Sequence, residues 1–457
     1  MLIVKILLGL VGLGIVVFVH ELGHFIAARL SGIDVEAFSV GWGKPLIAKK
    51  IGGVEYRLGM FPIGGYCKMR GENEFAEAWE NGQNGVAQDA GTFLGARPQA
   101  RIFVAFSGPL FNLLFAMLVF TVIWGAGFEF TTMDNRIVLV SDVFPGESYP
   151  AERAGLKTGD RIIEINGKKV ENYRDIQGLI VVNAKKELHF TVLREDSEGK
   201  SQTVNLSIEP EMEKSSGAGR IGVYFWADPV IESVAPGSPA ESAGLQAGDR
   251  ILSVNGEPFP YSVALLKILG GGTRPGSLSI EAERGGGTVG MELAVPEDSA
   301  APIGIAWQAI KYRTPRYSIP GAVAKGFSEM WDTLAVSVRS LALLFRGVDL
   351  TKAVSGPVRV TYMAGEIAAD SFSQNAVTGL RSTANFLALI SIALAVMNLL
   401  PLPVLDGGAI VLFLIEMARR RPLHPRFIAA YQTAGIVLIG ALMLFAVFGD
   451  ILFLVRG

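Results

Sequence analysis

His20-Glu21-Leu22-Gly23-His24 follows without a break on Leu2–Val19, an apolar run whose one charge is Lys5. On a helix, residues four apart share a face, so the two histidines stack and Glu21 lies beside them. At that spacing two imidazoles bind zinc, and the neighbouring glutamate takes a proton from water. In a soluble chain five residues can match by accident. Here they close an apolar stretch, and ionisable groups at membrane depth are costly and usually functional. The plain alternative is a polar cluster ending a helix. No small-x-small cleavage site follows the run, which argues against a removed signal peptide.

The rest of the chain fits that opening. Of 457 residues half are apolar and 18% charged, which points to the membrane class. Ile102–Phe128 and Phe427–Gly449 carry no charge, and Ser382–Ile415 carries only Asp406. As one helix those last residues would reach about 50 Å, against a bilayer core of about 30 Å. Pro401 and Pro403 lie inside the stretch and break a helix. The expected fold is a multi-pass α-helical membrane protein with four transmembrane segments, one of them broken. The segments are expected at 1–28, 102–128, 381–418 and 427–450, with a cytoplasmic or membrane-associated β region at 29–101. Nine Lys and Arg between Arg29 and Arg101, and Arg419, Arg420, Arg421 and Arg426, put those loops in the cytoplasm. The termini and the large middle region then face outward.

A catalytic zinc ion takes three protein ligands and leaves one position open. His189 lies in a soluble strand and His424 in a basic loop. Asp406 is the better third ligand, because it is the one carboxylate of the broken apolar segment. Non-helical backbone at membrane depth must be buried in protein or beside water, where it can turn a carboxylate inward. The competing reading is a helix-start cap before Gly407. A net charge of −2 gives no reason to expect a nucleic-acid partner. The single cysteine, Cys67, excludes an intrachain disulfide.

Between Glu129 and Tyr317 the composition turns soluble and repeats itself. Ala154-Gly155-Leu156-Lys157-Thr158-Gly159-Asp160-Arg161-Ile162 returns as Ala243-Gly244-Leu245-Gln246-Ala247-Gly248-Asp249-Arg250-Ile251. Ile165-Asn166-Gly167 returns as Val254-Asn255-Gly256, and Ile221-Gly222-Val223 as Ile303-Gly304-Ile305. Each unit reads as a short helix, a Gly-Asp turn, and an alternating strand into an Asn-Gly hairpin. The pattern resembles the PDZ domain in its circularly permuted bacterial form, giving tandem PDZ-like (α+β) domains at 129–226 and 227–317. The resemblance implies a groove that takes a peptide terminus as an added strand, with Arg220–Val223 and Pro302–Ile305 as capping loops. A spacer or size filter is the alternative. Pro320–Arg346 then places Val323, Phe327, Met330, Trp331, Leu334, Val338, Leu341 and Phe345 at helical spacing. An amphipathic, membrane-surface helical region is expected over 318–380, with packing on a protein partner equally open.

His20-Glu21-x-x-His24, Leu405-Asp406-Gly407 and the tandem PDZ-like insertion together resemble the site-2 protease family over essentially the whole chain. The resemblance implies an intramembrane zinc metalloprotease of the bacterial inner membrane. One catalytic Zn2+ is held by His20, His24 and Asp406, with Glu21 as the base. The active site faces the cytoplasmic side and the PDZ-like domains the periplasm. Gly108-Pro109-Leu110-Phe111-Asn112 is similar to the family's element beside the active site. Asn398 matches an asparagine that holds substrate, and Gly64, Gly65 and Tyr66 mark the edge of a membrane-embedded hairpin. Alternation of Val54, Tyr56, Leu58 and Met60 supports a strand independently. Implied partners are single-span membrane proteins, a pre-trimmed anti-sigma factor first and signal-peptide remnants second, together with the lipid bilayer. A PDZ-type membrane scaffold with a vestigial metal site is the rival from another class. A transporter with a broken-helix ion site is a further rival.

Overall fold

The computed structural model describes residues 2–71, 89–146, 148–195, 199–213, 217–270, 275–296, 302–344, 356–421 and 423–456. Helix α1 (Leu2–Leu30) carries the HExxH residues two-thirds along its length. After it come strands β1 (Val35–Ile51) and β2 (Val54–Met69), then α2 (Pro98–Ala126). Past residue 314 follow α3 (Ile319–Leu344), α4 (Pro357–Gln374), α5 (Ala376–Asn398), α6 (Asp406–Arg419) and α7 (Pro425–Arg456). Among the described residues, four stretches are long and apolar enough to cross a membrane: Lys5–Leu30, Pro98–Ala126, Ala376–Asn398 and Arg426–Asp450. These helices and the hairpin make one unit, 1–128 with 315–457; residues 129–314 make the other.

Glycine lets the helices of the first unit approach closely, as membrane helices do. A Cβ at Gly23 of α1 would stand 2.3 Å from Ser107 O of α2. On the opposite end of α1, a Cβ at Gly9 would stand 2.0 Å from Thr361 O of α4. Met330 of α3 is buried with Ala116 and Phe120 of α2 and Ala388 and Ile392 of α5. Within the amphipathic run, Val323, Phe327, Trp331 and Val338 stay exposed while Met330 is buried. One face of α3 packs on α2, and α4 packs on α1, because each presents a small or apolar row there. Phe345 and Arg346 lie outside the described residues. Asp450, buried near the end of α7, accepts the backbone N–H groups of Gly356 (2.9 Å), Val358 (3.0 Å) and Arg359 (3.2 Å). It thus caps α4 from another helix, doing the work of an N-cap side chain.

The hairpin is longer than its turn requires, and it folds back on itself. Ile47–Ile51 pairs with Val54–Leu58 across Gly52-Gly53, Ala37–Val40 pairs with Glu55–Leu58, and Val35–Val40 pairs with Gly65–Met69. The two strands thus make four layers, with Gly65–Met69 at one edge. Gly41 and Gly43, both at positive φ, occupy the fold-back, where residues with a Cβ would be strained.

The second unit contains two four-stranded antiparallel sheets of identical order. The first runs Lys168–Lys169, Arg161–Ile165, Leu188–Glu195, Ser201–Ile208. The second runs Glu257–Pro258, Arg250–Val254, Ser277–Arg284, Gly287–Ala294. Each has its own apolar core, around Ile162 and Phe190 in one and Ile251 and Leu278 in the other. Asn166 and Asn255 both adopt positive φ before a positive-φ glycine, as a two-residue hairpin turn demands. The repeats also share a buried ion pair. Arg194 forks onto Asp160 at 2.8 and 2.7 Å, and Arg284 onto Asp249 at 2.7 and 2.7 Å.

Candidate metal centre

Three elements that are distant in sequence meet at one point. His20 Nε2 and His24 Nε2 lie 3.2 Å apart on one face of α1. Asp406 Oδ2 is 3.2 Å from the first and Asp406 Oδ1 3.5 Å from the second. One donor atom from each lies within 4.8 Å of the others. The break that brings Asp406 here is sharp: α5 stops at Asn398 and α6 starts at Asp406, with no side-chain cap at Leu405. Asp406 is the first helical residue, and its carboxylate turns to the imidazoles rather than to the helix amides. The capping alternative does not hold.

Gly108 makes room for this. A Cβ there would be 2.4 Å from His24 Nε2 and 2.8 Å from His20 Cε1. Pro109 follows inside α2 and removes one helical hydrogen bond at the same level. His24 Nδ1 donates to Val104 O at 2.9 Å. A carbonyl can only accept, so the proton sits on Nδ1 and Nε2 keeps its lone pair. On His20, Nδ1 lies 3.2 Å from the Asn112 amide, whose Oδ1 is buried without a hydrogen bond. Turning that amide end for end gives Oδ1 the Nδ1 proton and frees Nε2, the pattern of metal-bound histidines. Ser391 Oγ in turn donates to Asn112 O at 2.9 Å and ties α5 to this level of α2. Asn398 stands beside the cluster, its Nδ2 3.2 Å from His20 Nε2.

Does a metal fit? Asp406 Oδ2 is buried and has no hydrogen-bond partner, a costly state for a carboxylate oxygen. Two imidazole nitrogens and one carboxylate are the donor set of a catalytic zinc site. The residues fit the ion.

Glu21 lies on the same wall, and the backbone of Cys67 in β2 hydrogen-bonds its carboxylate. A Cβ at Gly65 would stand 3.3 Å from Glu21 Cγ, so the sheet edge runs directly past Glu21. Tyr66 lines the cavity, its hydroxyl held by Arg57 at 2.9 Å. Gly64 acts on the backbone instead. At φ +81 it turns the chain beneath Trp42, whose Nε1 would be 2.4 Å from a Cβ. His189 bonds Ser207 within the other unit and His424 a local backbone amide, so neither joins the cluster.

A cavity of about 520 Å³ opens from His20, Glu21, His24 and Asp406 toward Arg101, Glu416 and Tyr431. Its far end holds a buried ion pair missed in the sequence. Arg101 of α2 forks onto Glu416 of α6 at 3.1 and 2.5 Å. Arg101 directly before one apolar run and Glu416 directly after another were the available signal, since charges so placed require a partner. The pair fastens the helix that begins with Asp406 to the helix that carries Asn112. Nearer the metal centre, Val404 adopts φ +76, which costs a β-branched residue of order 1–3 kcal/mol.

This constellation defines a zinc-type hydrolytic centre built between membrane-length helices. The chain matches the model of peptidase family M50 over residues 8–442 and belongs to that family, the site-2 proteases. It is 35% identical over 453 residues to a protein of Treponema pallidum named as a zinc metalloprotease, with 99% of each chain covered. It is 31% identical to the regulator of sigma E protease of Haemophilus influenzae, over 97% of both chains. To the regulator of sigma-E protease RseP of Escherichia coli it is 30% identical, over 96% of this chain and 97% of the relative. The chain is thus a membrane zinc metalloprotease by family.

Proposed function

We propose that this protein cleaves single-span membrane proteins within the bilayer, using one zinc ion held by His20, His24 and Asp406. The observation that carries the reading is the convergence within 4.8 Å of two buried imidazoles and a half-buried carboxylate, one of whose oxygens is buried without a hydrogen bond, between helices of membrane length. Bound there, zinc supplies Lewis acidity toward a peptide carbonyl. Glu21 takes the proton from the attacking water and returns it to the leaving amine. A helical substrate must first unwind, because its peptide groups are bonded to one another. The sheet edge at Gly65 and Tyr66, with Asn398 beside the metal centre, offers the freed backbone new partners.

The basic residues of Arg29–Arg101 and Arg419–Arg426 favour a cytoplasmic active site in a bacterial inner membrane. The tandem repeats are then PDZ-like domains on the periplasmic side. They test the outer part of a substrate, by holding a freed terminus or by excluding bulk. The names of the Haemophilus and Escherichia relatives favour a role in sigma-factor regulation; the family resemblance then makes the substrate a trimmed anti-sigma factor, with signal-peptide remnants second. The test is cleavage of a single-span test protein by the purified enzyme in detergent, with and without a zinc chelator. Deletion of Pro145–Trp307, closed by a flexible linker, should leave a pre-trimmed substrate cleavable and admit the untrimmed one. Persistence of cleavage in Glu21→Gln would sink the assignment.

A further inference from the structure

Five non-glycine residues take a positive φ among the described residues: Asn166, Lys185, Asn255, Val404 and Arg420. Two are asparagines in hairpin turns and Arg420 ends α6, where left-handed backbone is routine. Val404 is different, being the one β-branched member, and branching at Cβ makes this region worst. Glycine would take φ +76 without strain.

The loop cannot relax. Pro403 is wedged by Gly435 of α7, where a Cβ would be 2.3 Å from Pro403 Cβ and 2.8 Å from Pro403 O. Across the loop, a Cβ at Gly407 would meet Leu399 O at 2.3 Å, and one at Gly408 would meet Leu402 O at 2.0 Å. Three glycines thus let the surroundings close on both sides of Val404 and fix its backbone. Val404 itself stays 56% exposed, and it lines the cavity with His20, Glu21, His24 and Asp406. If backbone shape alone mattered here, glycine would serve as it does at its neighbours. The strain is offset only if the side chain has a contact to make, and more than half of the residue stands open toward the cavity.

We propose that Val404 is a specificity-determining residue, whose isopropyl group meets the substrate side chain next to the scissile bond and limits it to small and medium apolar residues. This rests on the cavity being the proteolytic chamber. A branched side chain two residues before Asp406, on a rigid loop, sets a fixed wall against the residue presented to the metal centre. Shortening it deepens the wall and lengthening it makes it shallower.

The experiment uses full-length enzyme in detergent and a set of single-span test proteins. These differ only in carrying Ala, Leu or Phe beside the scissile bond, which is located by mass spectrometry of the products. For each pair kcat and KM are measured, with zinc content and thermal unfolding of every variant. Val404→Ala should raise the Phe-to-Ala ratio of kcat/KM about tenfold, the usual worth of a small change in pocket volume. Val404→Ile should move the same ratio the other way. Val404→Gly should follow the alanine variant in selectivity and unfold at higher temperature, since it sheds the strain. Zinc content should not change. Wild-type ratios in both the alanine and isoleucine variants would overturn the proposal, as would a glycine variant that gains stability and keeps wild-type selectivity. Should the smaller variants lose zinc, the isoleucine variant decides alone. A wild-type enzyme that cleaves no test protein would instead remove the proteolytic reading beneath it.

Discussion

Asp249 and Asp406 are both carboxylates enclosed by protein, yet their surroundings differ in kind. Asp249 accepts the backbone N–H of Gln246 at 2.9 Å and both arms of Arg284, and its twin Asp160 repeats the pattern with Lys157 and Arg194. Asp406 faces two imidazoles and keeps one oxygen without a hydrogen bond. A carboxylate that is fully paired fastens a turn. One left short beside two histidines is held ready for a cation, because burial without a partner is otherwise too costly. The first kind belongs to the repeats and the second to the membrane helices, and the contrast separates scaffold from chemistry without reference to either fold.

The sharpest break in this comparison comes from Glu21→Gln. It keeps the three donors but removes the base, so cleavage should fall about 10²–10⁴-fold with zinc retained, as measured by metal analysis beside a cleavage assay. Asp406→Ala should come next. Zinc affinity should drop by more than about 100-fold, beyond what loss of a supporting hydrogen bond causes, while thermal unfolding of the repeats stays put. Unchanged affinity would make Asp406 a bystander. The converse change is Arg284→Met, which strands Asp249. Stability should be lost from the repeat unit, read by pulse proteolysis of the full chain, with zinc content unaltered. Asn112→Ala should weaken zinc binding about tenfold by releasing His20 Nδ1, and equal affinity would remove it from the support of that ring.

The smallest effect concerns acid. Arg284, beside Asp249, holds that carboxyl below the usual aspartate value. The folded state therefore binds fewer protons than the unfolded state, and stability from the pair is complete above about pH 4. It should fall as pH drops from there through the lowered folded value. Asp249→Asn should flatten this part of the acid unfolding curve, and an unaltered curve would place the acid sensitivity elsewhere.

Local pattern carried much of this. His20, Glu21 and His24 were legible because helical spacing alone sets them side by side, and Asp406 because a lone carboxylate in an apolar stretch is conspicuous. The repeats announced themselves through Gly-Asp-Arg-Ile and Asn-Gly. What could not be read depends on meetings between distant residues. The fold-back of β1 and β2 looks like one simple hairpin from alternation, since alternation says nothing about which partner a strand takes. Arg101 and Glu416 stand 315 positions apart. The twin arginines escaped notice because the aspartates repeat at an offset of 89 and the arginines at 90, so one added residue hid the match. Gly23 and Gly108 look like ordinary small residues until the helices are brought together.

The clasp of Asp450 on α4 bears on the order in which the molecule comes together. During synthesis α4 leaves the ribosome about ninety residues ahead of the aspartate that satisfies its first amides. In an apolar setting those amides each cost several kcal/mol while unpaired. The start of α4, and through Gly9 its seat against α1, therefore sets only once α7 has arrived.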